Sequence, residues 1–290
     1  MNFVILDLEF NGAYSRKNHK FINEIIEVGA IKCDSQLNVI DKFSMLVTPQ
    51  VGKRINPYVK ELTHITPEEL FQAQNTFTHV LSKFKKFIGD GVLISWGTSD
   101  VLVLMDNVNY YLGQRRIDFV KYYCNLQKYA EDELNIHDRA HQLGLATCAE
   151  KLSIDFDQER LHRACDDAYL TTLCFMKLCN FETLPKYIEN VNDKFYDKIT
   201  FKNTAIYDIK NPLIDKREMY FLCDVCGHKT RRKTKWRIKN KSFRAEFRCT
   251  RCKKDFEGRI SFKLTYDGVR VDKKVYDIEK KIEKESDPLA

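Results

Sequence analysis

The sequence lacks two features that would connect it with a membrane. No apolar run approaches the roughly 20 residues that a membrane-spanning helix needs. The first residues read as a strand from Phe3 onward, without a basic segment before them, so we expect no signal peptide. We therefore predict a cytoplasmic protein without a membrane partner. Its 290 residues, 43% of them apolar, suit one large and one small domain.

The cysteines do not follow the pattern of a disulfide-bonded secreted protein. Four of the ten form two C-x-x-C pairs near the C-terminal end. The other six stand singly, mostly in apolar surroundings, where cysteine acts as a small buried hydrophobe. These six are Cys33, Cys124, Cys148, Cys165, Cys174 and Cys179. The single cysteines fit the reducing cytoplasm, and the pairs need a separate explanation.

The net charge of +7 is distributed unevenly along the chain. Residues 1–180 contain 20 Lys and Arg against 23 Asp and Glu, whereas residues 181–290 contain 28 against 18. This asymmetry indicates a nearly neutral module followed by one that favours an anionic partner. A surplus of lysine also serves solubility alone, so the clustering of the cations has to decide between these interpretations.

Hydrophobic patterns in the first 182 residues predict an α/β domain on a mixed sheet. Five strands are predicted, over residues 3–10, 24–32, 39–47, 92–95 and 116–120. Helices are predicted from Pro57, from Pro67, and over residues 76–88, 99–112, 126–133, 145–152 and 164–179. Short connections between the first three strands favour an antiparallel meander, with a polar loop over residues 11–20.

The first strand carries two acids in an apolar surrounding. Asp7 and Glu9 are two residues apart, so both side chains leave a strand by the same face. Neighbouring carboxylates repel each other and lose hydration when buried. A divalent cation between them would remove both costs. Taken alone, the D-x-E pattern also fits a strand end whose acids are solvated or paired with lysine.

Three more residues extend this pair into an ordered set. Asp100 follows the apolar strand at 92–95 and its turn, at the start of the next predicted helix. His162 and Asp167 belong to the pattern H-x-A-x-x-D-A, which begins the last helix of the domain. Each has a simpler alternative role, because Asp100 could serve as a charge in the first turn of its helix and His162 as a surface histidine.

The ordered set resembles the DEDDh exonucleases of the ribonuclease H-like superfamily. Residues 23–30 and 62–66 give smaller matches between its members. The sequence Ser95-Trp96-Gly97 and the Asp166-Asp167 doublet are most similar to the RNA-trimming branch, which includes the histone-mRNA 3′ exonucleases. The resemblance covers about residues 1–180. It implies a ribonuclease H-like fold, with a mixed five-stranded sheet and flanking helices.

The resemblance also implies a role for each residue of the set. Two Mg²⁺ (or Mn²⁺) ions would be held by four carboxylates: Asp7, Glu9, Asp100 and Asp167. Magnesium prefers oxygen ligands, and two ions about 4 Å apart stabilise charge on both the attacking and the leaving oxygen. His162 would accept the proton of the attacking water, since its ordinary pKa suits that task at neutral pH.

Two positions leave part of this assignment open. Asp166 lies four residues after His162 and shares its face on an ideal helix. Asp167 lies on the stripe that should face the sheet, and both this stripe and the family pattern favour it. His64 stands in a loop where relatives often carry glycine, near the place of a terminal nucleotide, so the fit of the last base is open.

The two C-x-x-C pairs predict a metal site in the second domain. They are separated by 22 residues, and they consist of Cys223, Cys226, Cys249 and Cys252. In a reducing compartment this spacing favours one structural Zn²⁺ in a tetrahedral four-thiolate site, as in a zinc ribbon. A redox dithiol would need only one pair, and disulfides would need an oxidising compartment. The glycine that follows the first pair is missing after the second.

Between the pairs, cations occupy every second position. On a β-strand this spacing would place all of them on one face, which could follow a phosphate backbone. The residues that we assign to nucleic-acid binding are Lys229, Arg231, Lys233, Lys235, Arg237 and Lys239. Phe243, Ala245 and Phe247 alternate with polar residues on a predicted partner strand, with Asn240 in the turn. The simpler interpretation of such a run is a solvated face.

Three aromatic residues lie near this run, namely Tyr220, Phe221 and Trp236. Aromatic rings stack on the bases of single-stranded nucleic acids. Packing in a core explains each of the three better than stacking does.

These observations predict a two-metal 3′→5′ exonuclease that acts on single-stranded nucleic acid, more specifically RNA. The alternatives are a DNA 3′ exonuclease, or a non-catalytic nucleic-acid-binding protein that keeps the fold. The intact acid set favours an enzyme, since a retired site should have lost a ligand. The predicted domains are an exonuclease domain (1–182), a connector (183–216), a basic zinc-ribbon-like domain (217–272) and a charged tail (273–290).

Overall fold

The structure is a computed structural model that describes residues 1–52, 54–136, 142–157 and 162–278. The chain divides into two compact units, Met1–Ile199 and Thr200–Ala290. The expected connector 183–216 lies across this division and is folded on both sides of it, with short helices and strands. The expected tail contributes residues 273–277 to the last strand, and residues 279–290 lie outside the described ranges.

The first unit is built on a six-stranded mixed sheet in the order β3-β2-β1-β4-β5-β6. Its strands are β1 (Phe3–Ser15), β2 (Lys20–Cys33), β3 (Val39–Leu46), β4 (Val92–Ser95), β5 (Tyr122–Asn125) and β6 (Ile188–Asn190). Strands β1 to β3 form the predicted antiparallel meander, and β4 and β5 continue the sheet in parallel with β1. The three-residue edge strand β6 is added to the five predicted strands.

Eight helices accompany these strands in the described residues. They are α1 (Pro57–Thr63), α2 (Pro67–Ala73), α3 (Phe77–Ile88), α4 (Ser99–Leu112), α5 (Leu126–Glu133), α6 (Leu145–Lys151), α7 (Ala164–Leu178) and α8 (Asp193–Thr200). The predicted helix from Pro67 begins with a capping box, because Thr66 and Glu69 satisfy each other's backbone N–H groups. Within the described ranges, no helix has the length and apolar content needed to span a lipid bilayer.

The central strand β1 is covered on both faces. Val4, Leu6 and Leu8 pack with α3 and α4 on one face of the sheet. Phe3 and Ile5 pack with α7 on the other face, where the rings of Phe3 and Phe175 lie 5.2 Å apart. Because side chains alternate along a strand, Asp7 and Glu9 continue the face that α7 covers. This alternation brings the acids of β1 under the start of α7.

Two local predictions in this unit are wrong. The expected polar loop at 11–20 is largely a hairpin, since Asn11, Ala13 and Ser15 alternate inward and extend β1. The expected strand at 116–120 is a turn, whose Ile117 and Val120 supply apolar side chains to the core. The strand that pairs with β4 is β5 instead. The apolar residues of this turn therefore gave the sequence pattern of a strand.

The second unit is a separate sheet in the order β12-β11-β10-β8. Its strands are β7 (Thr204–Ile206), β8 (Thr230–Arg232), β9 (Arg237–Lys239), β10 (Ser242–Cys249), β11 (Asp255–Thr265) and β12 (Gly268–Asp277). Strand β7 pairs with β11, and β9 pairs with β10. The core is aromatic, with Phe243, Phe247 and Phe256 buried at its centre.

The single cationic strand that the alternating charges predict is interrupted. Residues 233–236 leave the sheet between β8 and β9, and both short strands pair with β10. Trp236 packs there against Phe221 and Phe247 of the core, which explains the break. Arg231 still lies opposite Arg248, and Arg237 opposite Arg244, on one face of the sheet. The interruption therefore preserves the common face of these cations.

Candidate active site and metal centres

The register of the first hairpin decides which residues lie beside the two acids of β1. Asp7 is opposite Gly29 on β2, and Glu9 is opposite Glu27. The chain has a bulge directly after Glu9. Paired residues share a face of the sheet, so Gly29 and Glu27 lie on the face that α7 covers. The first turn of α7 meets β2 at these two residues.

Gly29 allows α7 to touch the backbone of β2. A Cβ atom added to Gly29 would lie 2.1 Å from the carbonyl carbon of Ala164 and 2.2 Å from the backbone nitrogen of Cys165. Such distances are far below van der Waals contact, so no other residue fits between strand and helix. Since Gly29 is opposite Asp7, this close contact places the start of α7 directly over Asp7.

Glu27 fixes the same turn by hydrogen bonds. Its carboxylate accepts from Arg163 Nε at 3.1 Å, from Arg163 Nη2 at 2.9 Å, and from the backbone N–H of Ala164 at 3.1 Å. The side chain of Glu27 is only 2% exposed. A buried carboxylate requires such partners, and the bidentate guanidinium supplies charge and direction together.

The helix start brings a third carboxylate to the acids of β1. Oxygen atoms of Asp7, Glu9 and Asp167 all lie within 4.8 Å of one another. The carboxylate of Asp167 also accepts the backbone N–H of His162 at 3.1 Å. Asp166 instead lines a hollow of about 420 Å³ together with Lys42 and Tyr169. Of the two neighbouring acids, the structure thus brings Asp167 to the cluster.

Asp100 reaches this cluster from the end of β4. The chain turns at Gly97, which has a φ of +83°, and the hydroxyl of Ser95 donates to the Gly97 carbonyl oxygen at 2.9 Å. Helix α4 then begins after Thr98, whose side chain makes no capping hydrogen bond. Asp100 is buried in its first turn.

The four carboxylates disturb one another strongly. Burial, and then the nearby charges of Asp100 and Asp167, raise the pKa of Asp7 well above its ordinary value. Burial and Asp167 raise the pKa of Glu9 to about 8. Burial also raises the pKa of Asp100 to about 7 and that of Asp167. A cluster of buried and half-buried acids with raised pKa values is suited to divalent cations, whose charge would offset theirs.

His162 lies beside this cluster with an unusual backbone. Its φ is +72°, in the left-handed region that non-glycine residues seldom adopt, and its side chain is exposed. Its backbone N–H donates to the Asp167 carboxylate, so His162 adjoins the cluster. His162 is thus available to solvent and to a substrate next to Asp167.

His64 lies at another left-handed position. It ends α1 with a φ of +56°, and its N–H donates to the Lys60 carbonyl oxygen. Glycine adopts this conformation without a penalty, which accounts for the glycine that relatives often carry here. The exposed side chain of His64 is therefore a departure that the backbone does not require.

Sequence reasoning missed Glu27, Gly29 and Arg163 as parts of the site. All three lie within segments whose likeness to the family was noted, residues 23–30 and 162–168. Their roles depend on the register of β1 with β2 and on the approach of α7. The antiparallel pairing of Asp7 with Gly29, if it had been predicted, would have indicated that these residues belong to the site.

The second cluster of possible metal ligands consists of the four paired cysteines. Their sulfur atoms all lie within 4.8 Å of one another, with 3.6 Å between Cys223 and Cys252 and 3.5 Å between Cys226 and Cys249. Zn–S bonds of about 2.3 Å in a tetrahedron separate sulfurs by about 3.8 Å. The four thiols therefore fit a zinc-sized ion.

Backbone amides prepare one of these thiols for a metal. Cys249 Sγ accepts from the N–H groups of Arg251 and Cys252, each at 3.4 Å. Although burial acts in the opposite direction, these hydrogen bonds and those from neighbouring thiols lower the pKa of Cys249 to about 6. Because the thiolate is the ligand form, this environment favours metal binding.

The six cations assigned to nucleic-acid binding are all exposed: Lys229, Arg231, Lys233, Lys235, Arg237 and Lys239. Two of them pair with acids of β11. Lys233 Nζ lies 3.0 Å from Asp255, and Arg237 Nη2 lies 2.5 Å from Glu257. Of the three aromatic residues nearby, Phe221 is buried and Trp236 half-buried in the core, as expected, whereas Tyr220 is 74% exposed.

Comparison with known proteins agrees with this geometry. A family model described as an exonuclease, RNase_T, matches residues 4–175. A DNA polymerase III of the PolC type from Clostridium perfringens is 30% identical over 213 residues. That match covers 71% of this chain and 13% of the polymerase, so the chain spans about an eighth of its relative's length.

Solved structures share the fold. The nuclease domain of 3′hExo, a DEDDh family member bound to rAMP, superposes with a TM-score of 0.53 at 21% identity, over 66% of this chain and 96% of that one. Cell-death related nuclease 4 (CRN-4) gives a TM-score of 0.51 at 14% identity, over 79% of this chain and 87% of that one. The family match spans more than half of the chain and includes every element of the acid cluster. The chain therefore belongs to the exonuclease family that this model describes, and it shares the fold of the 3′hExo nuclease domain.

Proposed function

We propose that this protein removes nucleotides one at a time from the 3′ end of single-stranded nucleic acid, and that RNA is its preferred substrate. The observation that carries the proposal is the convergence of Asp7, Glu9 and Asp167, with buried Asp100 beside Asp7. Such a cluster costs stability in the absence of a cation, so its presence favours a metal-dependent reaction over a structural role.

We assign the acid cluster to two Mg²⁺ or Mn²⁺ ions. All its donors are carboxylate oxygens, which these hard cations prefer. When bound, the ions supply charge stabilisation to the attacking and leaving oxygens of a phosphodiester. Asp7 would contribute to both ions, Glu9 and Asp167 to one of them, and Asp100 to the other.

The remaining chemistry falls to His162. A neutral imidazole at this position would accept the proton of the attacking water. The exposed position of His162 beside Asp167 supports this role. The backbone N–H of His162 also donates a hydrogen bond to the Asp167 carboxylate, which fixes the orientation of that carboxylate.

The second unit would bind one structural Zn²⁺ through its four cysteines, and its exposed cations would contact the substrate. Sulfur separations near those of a tetrahedral site support the zinc assignment. The shared face of Arg231 and Arg237 supports the cation assignment, because a row of positive charges on a strand can follow phosphates.

A DNA substrate is the second candidate, and the likeness to a DNA polymerase favours it. The preference for RNA rests on the sequence before Asp100 and on the acid doublet at 166–167. The third possibility, a binding protein without turnover, is opposed by the complete acid set.

One experiment separates these possibilities. RNA and DNA 20-mers of equal sequence, labelled at the 5′ end, are incubated with the protein with and without Mg²⁺. We expect a ladder of shortened labelled products from RNA only when Mg²⁺ is present, and a slower ladder from DNA. A faster DNA ladder would reverse the substrate assignment. Intact strands under all conditions would favour the binding protein, and immediate release of labelled mononucleotide would indicate the opposite polarity.

A further inference from the structure

Two hollows of the second unit flank its edge strand β8. One has a volume of about 590 Å³ and the other about 550 Å³, and Arg231 and Arg232 line both. Successive side chains on a strand point to opposite faces, so these two arginines reach around both sides of the sheet edge. We call the two hollows, with β8 between them, the β8 groove.

The groove is strongly cationic. Seven exposed basic residues line it: Lys210, Lys216, Arg231, Arg232, Lys233, Arg248 and Lys253. Among the described lining residues none is acidic. The nearby carboxylate of Asp255 is shared between Lys233 at 3.0 Å and Arg248 at 3.7 Å. Four thiolates with Zn²⁺ would add a charge of about −2 beside the groove, which the seven cations exceed.

Aromatic rings occupy the larger hollow. Tyr220 is 74% exposed, although an aromatic ring on a protein surface loses hydrophobic stabilisation. Trp236 is half-buried and held in place by Phe247, at 5.7 Å between ring centres. The guanidinium of Arg232 lies 5.8 Å from the centre of the Trp236 ring. An exposed ring, a fixed ring and a guanidinium near that fixed ring therefore share one concave site.

We propose that the β8 groove binds a segment of single-stranded nucleic acid, with one base in the hollow of Tyr220 and Trp236 and the adjoining phosphates on Arg231 and Arg232. This inference rests on the proposed function and deepens it. Phosphates require cations, bases require aromatic surfaces, and single strands are bound by the combination of the two. An acidic protein segment would use the cations and leave the exposed Tyr220 ring unexplained.

Trp236 provides a direct reporter of occupancy. The chain has two tryptophans, Trp96 and Trp236. In a full-length Trp96→Phe, Asp7→Asn protein, Trp236 is the sole tryptophan and hydrolysis does not deplete the ligand. We expect an oligouridylate 20-mer to quench its fluorescence saturably. Unchanged emission at saturating oligonucleotide, with binding verified by anisotropy of a label on the RNA, would overturn the proposal.

Matched variants test the two chemical parts of the groove. Tyr220→Ala should raise the Kd of the 20-mer about 10-fold, whereas Tyr220→Phe should not, since stacking needs only the ring. The control Tyr266→Ala removes another exposed tyrosine of this unit, 41% exposed, and should leave the Kd unchanged. Equal affinity of the Tyr220→Ala and Tyr266→Ala proteins would contradict the base-binding hollow.

The cations are tested by salt dependence. Arg231→Gln should reduce the slope of log K against log salt by about 0.7, the value for one lost phosphate contact on a single strand. Lys274→Gln, which removes the same charge from β12 at the opposite edge of the sheet, should not. Equal slopes in the two variants would contradict phosphate contact at β8.

Two further measurements separate this inference from the proposed function. A protein with intact Asp7 should hydrolyse a trinucleotide when Mg²⁺ is present. Failure to hydrolyse it, together with normal Trp236 quenching, would end the proposed activity while supporting the groove. Polyglutamate of equal charge should quench Trp236 far less than the RNA does. Equal quenching would identify a general anionic or protein ligand and overturn the nucleic-acid assignment.

Discussion

The Glu27 carboxylate accepts both Arg163 Nε and Arg163 Nη2, at 3.1 Å and 2.9 Å, and it also accepts the backbone N–H of Ala164. Glu27 lies opposite Glu9 on the neighbouring strand. This one carboxylate thus connects β2, which pairs with the strand that carries two acids of the cluster, to the helix that carries a third, Asp167. The alignment of these acids therefore depends on the ion pair between Glu27 and Arg163.

Replacing Arg163 should therefore weaken metal binding without removing a metal ligand. We expect Arg163→Gln to raise the Mg²⁺ concentration for half-maximal activity about 10-fold or more, as for residues that orient metal ligands elsewhere, and Arg163→Lys to restore part of it. Activity is measured over a Mg²⁺ titration at fixed substrate. The control Arg116→Gln breaks an exposed ion pair with Asp193, 2.7 Å long, and should change nothing. An unchanged Mg²⁺ requirement in Arg163→Gln would show that the pair serves folding alone.

Gly29→Ala should displace α7 and destroy the site. Its methyl group would meet the backbone of Ala164 at 2.1 Å, where no side chain can turn aside. Overpacking of this kind typically costs about 1–3 kcal/mol, so we expect a lower Tm and loss of Mg²⁺-dependent activity. Gly12→Ala on β1 is the control, because its added methyl group would meet its nearest atom at 3.9 Å. Normal activity in Gly29→Ala would mean that the helix start does not set the cluster.

The stability of the protein should depend on pH through the acid cluster. The folded pKa values are raised, to about 8 for Glu9 and about 7 for Asp100, so the folded state binds more protons than the unfolded chain between pH 4 and 8. The free energy of unfolding is therefore highest below the ordinary carboxyl pKa. It falls as the pH rises toward and through the raised folded pKa values. Without added divalent metal, the Tm should be lower at pH 8 than at pH 6.

Mg²⁺ should reverse this trend, because it competes with protons for the same oxygens. The Mg²⁺ concentration for this test is 10 mM, about ten times a millimolar Kd. The resulting rise in Tm should be larger at pH 8 than at pH 6. Asp7→Asn should reduce this difference. A metal-free Tm that rises steadily from pH 6 to pH 8 would contradict the raised pKa values.

The purified chain should contain one tightly bound zinc ion. Cys249→Ser should lose it, since the thiol with the pKa lowered to about 6 is the readiest ligand of the four. Elemental analysis of both proteins measures the ratio of zinc to protein. Cys179→Ser, at a partly exposed single cysteine, is the control and should keep the zinc. Iron in place of zinc, or no metal, would overturn the assignment.

Much of this site could be predicted because its functional residues occur in short sequence patterns. The alternation of a strand places Asp7 and Glu9 on one face, and the strand-turn-helix at Ser95 to Asp100 gives an acid at a helix start. Cysteine spacing alone predicts the four-sulfur cluster. These features depend on residues that are near one another in sequence.

Other features could not be predicted because they depend on register and packing over long distances. Arg163 meets Glu27 only through the contact of α7 with β2. The apolar turn with Ile117 and Val120 imitated the strand that follows it. Core packing of Trp236 was expected, but the cationic run gave no sign that this packing would interrupt the strand and leave the hollow at β8.

The central claim is that the carboxylates of Asp7 and Asp167 hold the ions that hydrolyse the nucleic acid. The most direct measurement compares single-turnover hydrolysis of 5′-labelled RNA by the unmodified protein, Asp7→Asn, Asp167→Asn and Asp166→Asn in Mg²⁺. Asp166, the neighbour of Asp167 that lines a different hollow, is the matched control. We predict at least a 10³-fold lower rate for Asp7→Asn and Asp167→Asn, by analogy with the loss of key electrostatic groups, and a nearly normal rate for Asp166→Asn. Substantial hydrolysis by Asp7→Asn, or loss of activity only in Asp166→Asn, would contradict the account.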